Sequence, residues 1–476
     1  VAAVHESFLI GGQWVRPSTD EVFTPLNAST EEPLGQVPAA AEADVDAAVA
    51  AARGAIDDPS GFTSWDPAER AERMERLAAA VDARGEAIAE LVSSQNGMPV
   101  STARATEAVT PGALLRYYAD LARRTATSEI RDGLMGGRVE VRKVPVGVVA
   151  AIVPWNYPQT LAMTKIAPAL AAGCAVVLKP SPETSLDSYL LAEAIDEADL
   201  PPGAVNIAPA GRDTGQYLVE HPGVDKVAFT GSTRAGRAVS ATCGRLLRPV
   251  TLELGGKSAA LVLDDADLAD STAELVSSCL ANNGQTCYLG TRVLAPRTRY
   301  AEVVDVFTDL ARSRTVGDAL DPNTEIGPLA TRTQRDRVES YIDKGRSEGR
   351  MTTGGGRPRD RGWFVEPTVF ADVDNGATIA REEIFGPVLS IVPYDDVDDA
   401  VRIANDSEYG LGGSVWTSDP ERGADVARRV RTGTIGVNHY APDPAAPFGG
   451  VRASGLGREM GPEALAHYQQ LQSVYL

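Results

Sequence analysis

Between residues 163 and 244, short apolar runs alternate with amphipathic ones without a break, and few folds tolerate that pattern. "MTKIAPALAAG", "SLDSYLLAEAIDEADL", "GQYLVEHP" and "STRAGRAVSATCG" read as helices, whereas "CAVVLKP", "GAVNIAP" and "DKVAFTG" are short apolar strands. Strands joined through helices are βαβ units, so neighbouring strands run parallel and the sheet is covered on both faces. "GRVEVRKVPVGVVAAIVPW" (137–155) adds one long strand and one buried strand, parted by Pro145 and Gly147. "FLIGGQWV" (8–15) reads as a hairpin, and residues 42–55 and 67–94 read as helices. A second alternating stretch runs from 250–263 through a helix over 273–282 to 432–440. The chain is therefore expected to be α/β with two α/β domains, in keeping with its 476 residues, and with a boundary near Glu253. The last run, "QLQSVYL", is a strand without a sequence-adjacent partner, which predicts pairing across subunits.

Charge and composition narrow the function classes. A net charge of −20, with 39 Arg, 6 Lys and no basic run with interleaved aromatics, disfavours nucleic acid and anionic membranes as partners. The four cysteines (Cys174, Cys243, Cys279, Cys287) lack CxxC spacing, and the four histidines (His5, His221, His439, His467) lack paired spacing. Neither a disulfide framework, a catalytic metal nor a hydrolase triad is expected. No leader-like segment or membrane-length apolar run is read, so the expectation is a cytoplasmic enzyme.

Six stretches carry candidate chemistry, each with an ordinary alternative. In "DKVAFTGSTRAG" a strand ends at Gly231 and Ser232 opens a helix, which suits a phosphate but is also plain α/β construction. Lys179, in "VVLKPSPET", leaves the sheet where ligands bind, either to reach a ribose or to end in solvent. Asn156, in "IVPWNYP", either donates to an oxyanion or forms an Asx turn. Glu253, in "TLELGGKS", is either a buried carboxyl suited to general-base work or the polar face of an edge strand. In "REEIFGPVLSI", Glu382 and Glu383 either accept from a ribose or are solvated, and Phe385 can pack on a flat ring. Cys287 follows "NNGQT" in a loop past a helix, amid small polar residues, where a substrate can reach it; a lone cysteine is otherwise inert. Cys174, Cys243 and Cys279 sit in Ala- or Ser-rich segments and are assigned to packing.

In sequence order, "PWNYP", "VVLKPS", "FTGSTRAG", "LELGGKS", "NNGQTC", "EEIFGPV", "NDSEYGL" and "PFGGVRASGLGRE" together resemble the NAD(P)-dependent aldehyde dehydrogenase superfamily. The resemblance implies a Rossmann-like cofactor domain (1–120 and 142–252), a catalytic α/β domain (253–456) and a small β oligomerisation element (121–141 and 457–476). It implies that Cys287 forms a thiohemiacetal whose oxyanion is held by the Asn156 amide and the Cys287 N–H, and that Glu253 activates water against the resulting thioester. Glu459 and Lys165 would assist the protons. Lys179 and Glu383 would bind ribose, Ser232 the pyrophosphate, and Trp155 would lie near the adenosine half, with Ser181, Gly231 and Phe385 completing the cofactor set. The cofactor would be NAD or NADP, with NAD preferred. Many NAD-preferring members have Glu three residues after the ribose lysine; here Pro182 stands there and Glu183 follows, which leaves NADP open. The pocket would be lined by Tyr157, Leu161, Thr164, Tyr288 and Phe448, where Thr164 in place of a large aromatic suggests room for medium or bulky apolar aldehydes. A homodimer or homotetramer is implied. The competing readings are transfer of the acyl group to coenzyme A, a cysteine-dependent acyl hydrolase without redox chemistry, and a catalytically retired protein.

Overall fold

Strands β1 (Phe8–Ile10) and β2 (Gln13–Val15) pair antiparallel across Gly11 and Gly12, whose φ angles of 63° and 72° suit a two-residue hairpin turn. The structure is a computed structural model that describes residues 3–58 and 61–476; residues 1–2 and 59–60, which fall in the stretch 1–120 expected to join the cofactor domain, lie outside the described residues. Helices α1 (Glu42–Asp57), α2 (Pro67–Asp82), α3 (Gly85–Asn96), α4 (Val100–Ala105) and α5 (Thr110–Arg124) follow. The stretch read as helical over 67–94 holds two helices. The chain turns at Ala83 and Arg84, and a side chain at Gly85 would meet the Ala108 carbonyl at 3.2 Å.

Beyond the hairpin of β3 (Ser128–Asp132) and β4 (Arg138–Pro145), strand and helix alternate as the sequence indicates. The order is β5 (Val148–Ile152), α6 (Pro158–Ala172), β6 (Ala175–Lys179), α7 (Asp187–Glu197), β7 (Val205–Ile207), α8 (Arg212–Glu220), β8 (Lys226–Thr230), α9 (Thr233–Arg245) and β9 (Val250–Glu253). Side chains alternate across the sheet. Val149, Ala151, Val176 and Leu178 pack with α2, α5, α6 and α7, while Val148, Ala150, Ile152 and Val177 pack with α1, α8 and α9. Each such Val or Leu contributes about 1.5–3 kcal/mol by leaving water.

A second sheet contains β10 (Ala259–Val262), then, past α10 (Thr272–Leu280), β11 (Arg292–Pro296), β12 (Arg350–Thr353), β13 (Thr368–Ala371), β14 (Val388–Tyr394), β15 (Gly413–Trp416) and β16 (Gly436–Val437). Its order is β12-β13-β14-β11-β10-β15-β16, parallel except at β12. The helix expected over 273–282 stops at Leu280, because Asn282 and Asn283 take left-handed φ angles of 50° and 59°.

The chain then returns to the first sheet. β17 (Gly455–Leu456) pairs antiparallel with β9, Gly455 opposite Glu253, and the sheet order becomes β17-β9-β8-β5-β6-β7-β1-β2. Glu253 is therefore the last residue of the first sheet before the chain crosses, over 254–258, to the second. β18 (Gln469–Tyr475) pairs antiparallel with β4, Gln469 opposite Pro145 and Tyr475 opposite Val139. The terminal strand, read as having no sequence-adjacent partner, thus pairs with one far away in sequence; along its other edge it meets no strand among the described residues.

Candidate active site

Strand β5 hydrogen-bonds to β6 on one side and to β8 on the other, so the chain winds outward in both directions from it. A crevice opens above such a switch point, at the carboxyl ends of the strands. The segment with Trp155 and Asn156 leaves β5 there, Lys179 ends β6, Thr230 ends β8 and Glu253 ends β9.

Of the four cysteines, Cys287 alone is not fully buried. Its loop is pinned by side-chain amides. Asn156 Nδ2 donates to the Gln285 carbonyl at 3.0 Å, and the Asn156 carbonyl accepts from Asn96 Nδ2 at 3.1 Å and Asn282 Nδ2 at 3.0 Å. Asn283 Nδ2 donates to the Gly97 and Pro328 carbonyls at 2.8 and 2.9 Å. Gly256 comes so close that a Cβ there would meet the Cys287 carbonyl at 2.5 Å. Burial pushes the Cys287 thiol up, and the nearby charges of Glu383 and Glu253 add to the shift.

Glu253 is buried, and neither carboxylate oxygen has a hydrogen-bond partner among the described residues. This decides between its two readings: β17 covers β9, so Glu253 is not on a solvated edge. Burial raises its pKa well above the usual range, the Glu459 charge raises it further, and Lys165 and Arg458 oppose the shift. Lys165 Nζ bonds Thr230 Oγ1 at 2.6 Å and Glu459 Oε1 at 2.7 Å. Cys287 thus lies within range of the Glu253 and Glu459 charges, Glu253 within range of Lys165 and Glu459, and Asn156 is bonded to the Cys287 loop.

The expected cofactor residues lie on both walls. On the first sheet, Lys179 Nζ is bonded, among the described residues, to the Pro180 and Ala210 carbonyls, at 3.0 and 2.8 Å, and burial lowers it to about 8. Ser181 hydrogen-bonds Glu183. Ser232, next to Gly231, caps exposed α9 by accepting from the Ala235 N–H at 3.3 Å. On the second, Glu383 Oε1 accepts from the Gly256 N–H at 3.0 Å, and burial pushes its carboxyl up to about 7. Phe385 meets Trp155 edge-on, with centroids 5.4 Å apart, so residues 230 positions apart close over the same cleft.

Of the expected pocket residues, Leu161 and Tyr288 pack on the same core as Cys287 and Phe448, and Tyr288 meets Phe448 edge-on at 6.0 Å. The Tyr157 hydroxyl lies 3.0 Å from Thr286 Oγ1, next to Cys287. Thr164, on the same helix, is buried, and its hydroxyl donates to the Leu161 carbonyl at 2.9 Å.

A profile of the aldehyde dehydrogenase family matches residues 14–474. The chain belongs to the aldehyde dehydrogenase family. It is 55% identical over 473 residues to a geranial dehydrogenase of Castellaniella defragrans, covering 99% of each chain. It is 38% identical over 478 residues to a phenylacetaldehyde dehydrogenase of Pseudomonas fluorescens, covering 98% of this chain and 95% of that one. Among solved structures, an aldehyde dehydrogenase of Mycobacterium tuberculosis complexed with NAD+ superposes with a TM-score of 0.97 at 47% identity, covering 100% of this chain and 99% of the other.

This aldehyde dehydrogenase is accordingly an NAD(P)-dependent oxidoreductase. Several residues of its site escape a reading of the sequence alone. Gln285 joins Asn156 to Asn96, donating to the Asn96 carbonyl at 3.3 Å, and Tyr440 meets Tyr288 edge-on at 5.2 Å. The doubled asparagine was a usable signal, since Asn tolerates left-handed backbone better than most residues. Among the described residues, no cluster of three or more His, Cys, Asp or Glu is arranged to hold a metal ion, and no helix is long and apolar enough to cross a membrane.

Proposed function

We propose that this aldehyde dehydrogenase oxidises medium or bulky apolar aldehydes to their acids, with Cys287 as nucleophile and Glu253 as general base. The observation that carries the reading is Glu253 itself: a buried carboxyl whose two oxygens have no hydrogen-bond partner among the described residues, close enough to Cys287 for its charge to act on the thiol. A thiol pushed up by burial is protonated at rest, and Glu253 is the base available to take its proton. The Cys287 sulfur then bonds the aldehyde carbon while the carbonyl electron pair moves to oxygen, where the second N–H of Asn156 and the Cys287 N–H hold the charge. A bound nicotinamide supplies the acceptor for the hydride that leaves this carbon. The acyl group stays on sulfur as a thioester; water adds to it, losing a proton to Glu253, and the C–S bond breaks to release the acid. Lys165 and Glu459 form the polar floor over which Glu253 sheds its proton. A carboxyl left free for water also favours hydrolysis over transfer to coenzyme A.

Residues of the first sheet, Lys179, Ser181, Gly231 and Ser232, would hold the ribose and phosphates, and Glu383 and Phe385 would close on the cofactor from the second. The fit rests on the capped, exposed start of α9 and on a Lys179 amine bonded, among the described residues, to backbone carbonyls. NAD is preferred over NADP because Glu183 turns towards Ser181 and its charge acts on Lys179, where a 2′-phosphate would be repelled. The apolar substrate class follows from Leu161, Tyr288, Tyr440 and Phe448, a wall without Lys or Arg, and from the names of the geranial and phenylacetaldehyde dehydrogenases to which the chain is similar. Segments 121–141 and 457–476 form the oligomerisation element of a cytoplasmic homodimer or homotetramer, with Leu471 and Tyr475 exposed on β18.

The test is absorbance at the reduced-nicotinamide band with NAD and NADP in parallel, across aliphatic, terpenoid-sized and aromatic aldehydes, with Cys287→Ala as control. Reduction that depends on Cys287 and favours the larger apolar aldehydes is expected. Turnover by Cys287→Ala, or preference for small polar aldehydes, would overturn the reading.

A further inference from the structure

Helix α6 starts with a deficit. Its capping position is Tyr157, whose side chain makes no capping hydrogen bond, and Pro158 follows with no N–H to offer. The next two donors, the N–H groups of Gln159 and Thr160, point at a carboxylate from elsewhere in the chain: Glu107 Oε2 accepts from Gln159 at 2.8 Å and Oε1 from Thr160 at 3.4 Å. Glu107 lies between α4 and α5 and is 0% exposed. A second buried carboxyl holds the same turn, since Gln159 Nε2 donates to Asp187 Oδ2 at 2.6 Å and Gln95 Nε2 to Asp187 Oδ1 at 2.9 Å.

What this turn positions makes the arrangement more than a cap. Immediately before it stand Asn156 and Tyr157, bonded to Gln285 and Thr286 of the Cys287 loop. Further along α6, Leu161 and Lys165 are four residues apart on one face, with Lys165 bonded to Glu459. A shift of the first turn moves both groups at once.

We propose that Glu107 is a positioning residue for the oxidation, its carboxylate fixing the first turn of α6 so that Asn156, Tyr157 and Lys165 keep their places around Cys287. This rests on the roles proposed for Cys287 and Asn156. Two N–H donors side by side call for two acceptor oxygens, which a carboxylate supplies and a carboxamide does not. The negative charge also suits a helix amino terminus. Burial pushes the Glu107 carboxyl up to about 7, with the Asp187 charge acting in the same direction and the bonds from Gln159 and Thr160 opposing it. Asp187 on α7 and the Tyr157 phenol are the titratable neighbours whose charges couple to it. As pH falls through about 7, the clamp therefore loses one of its two acceptors.

The experiment is the burst of reduced cofactor in the first turnover of the full-length enzyme, followed by rapid mixing across pH. In Glu107→Gln the burst should slow on the order of 10²-fold, while NAD affinity, read by fluorescence quenching, stays at the wild-type value because Lys179 and α9 are untouched. The wild-type burst should slow below about pH 7, and the part of that decline owed to Glu107 should vanish in Glu107→Gln but persist in Asp187→Asn. A burst in Glu107→Gln equal to wild type at every pH overturns the proposal. If that variant does not fold, Glu107→Asp keeps the charge on an arm one carbon too short and should slow the burst likewise; a wild-type burst there overturns the proposal too. A burst persisting in Cys287→Ala would instead sink the nucleophile assignment, so the two failures are separable.

Discussion

Lys165 Nζ and Glu459 Oε1 stand 2.7 Å apart with their side chains 0% and 3% exposed, an ion pair shut away from water beside the free carboxyl of Glu253. Removing one member leaves the other charge buried and unpaired, at a cost of about 3–5 kcal/mol. Lys165→Met should therefore lower the melting temperature, and adding Glu459→Gln should recover part of the loss. Thermal unfolding of the single and double variants checks this; a single variant as stable as wild type would refute it.

Glu253→Gln should slow thioester hydrolysis about 10²- to 10⁴-fold and leave an acyl adduct visible by intact-protein mass spectrometry. Because burial raises the Glu253 pKa, the group is protonated, and useless as a base, further up the pH scale than an ordinary carboxyl. Hydrolysis in the wild type should consequently fall as pH falls, and the variant should show a flat profile.

Gly449 sits at φ 150°, and a Cβ there would collide with Glu253 Oε1 and lie 3.1 Å from Arg458 Cδ. Gly449→Ala should push the carboxyl off its place, slowing both the first-turnover burst and hydrolysis, the two steps in which Glu253 is proposed to take a proton. Unchanged rates of both steps would count against this.

Cofactor affinity should depend on pH through Glu383. Its carboxyl, pushed up to about 7 by burial, would accept from ribose hydroxyls best when ionised under the proposed role, so NAD should bind more weakly as pH drops below that value. Titration by fluorescence quenching should show the trend, and Glu383→Gln should flatten it.

The open edge of β18 predicts the assembly. Leu471 is 71% exposed on that strand, and Leu471→Glu should shift the sedimentation profile towards smaller species. An unchanged profile would exclude this edge as a subunit contact.

The sequence is informative where structure is local and uninformative where it closes over distance. The alternation of strand and helix over 163–244 is a local property, and the observed elements follow it. The two readings of Glu253 could not be separated in the same way, because what buries it is a strand some 200 residues further on, β17. The partner of "QLQSVYL" is likewise a strand at 139–145. Glu107 carries no motif at all. Its significance lies in two N–H groups about 50 positions away that have nowhere else to turn.

The return of the chain to the first sheet also bears on its birth. While the protein is still being made, the parallel strands through β9 can assemble, yet Gly455 and the terminal strand have not emerged, so Glu253 stands at an unfinished sheet edge. Until β17 has been made, the nascent polypeptide has its thiol but lacks the strand that pairs along the Glu253 edge. Competence thus waits on a segment some 200 residues beyond the carboxyl it completes, and any truncation that removes β17 should yield a protein that is unfinished rather than merely shorter.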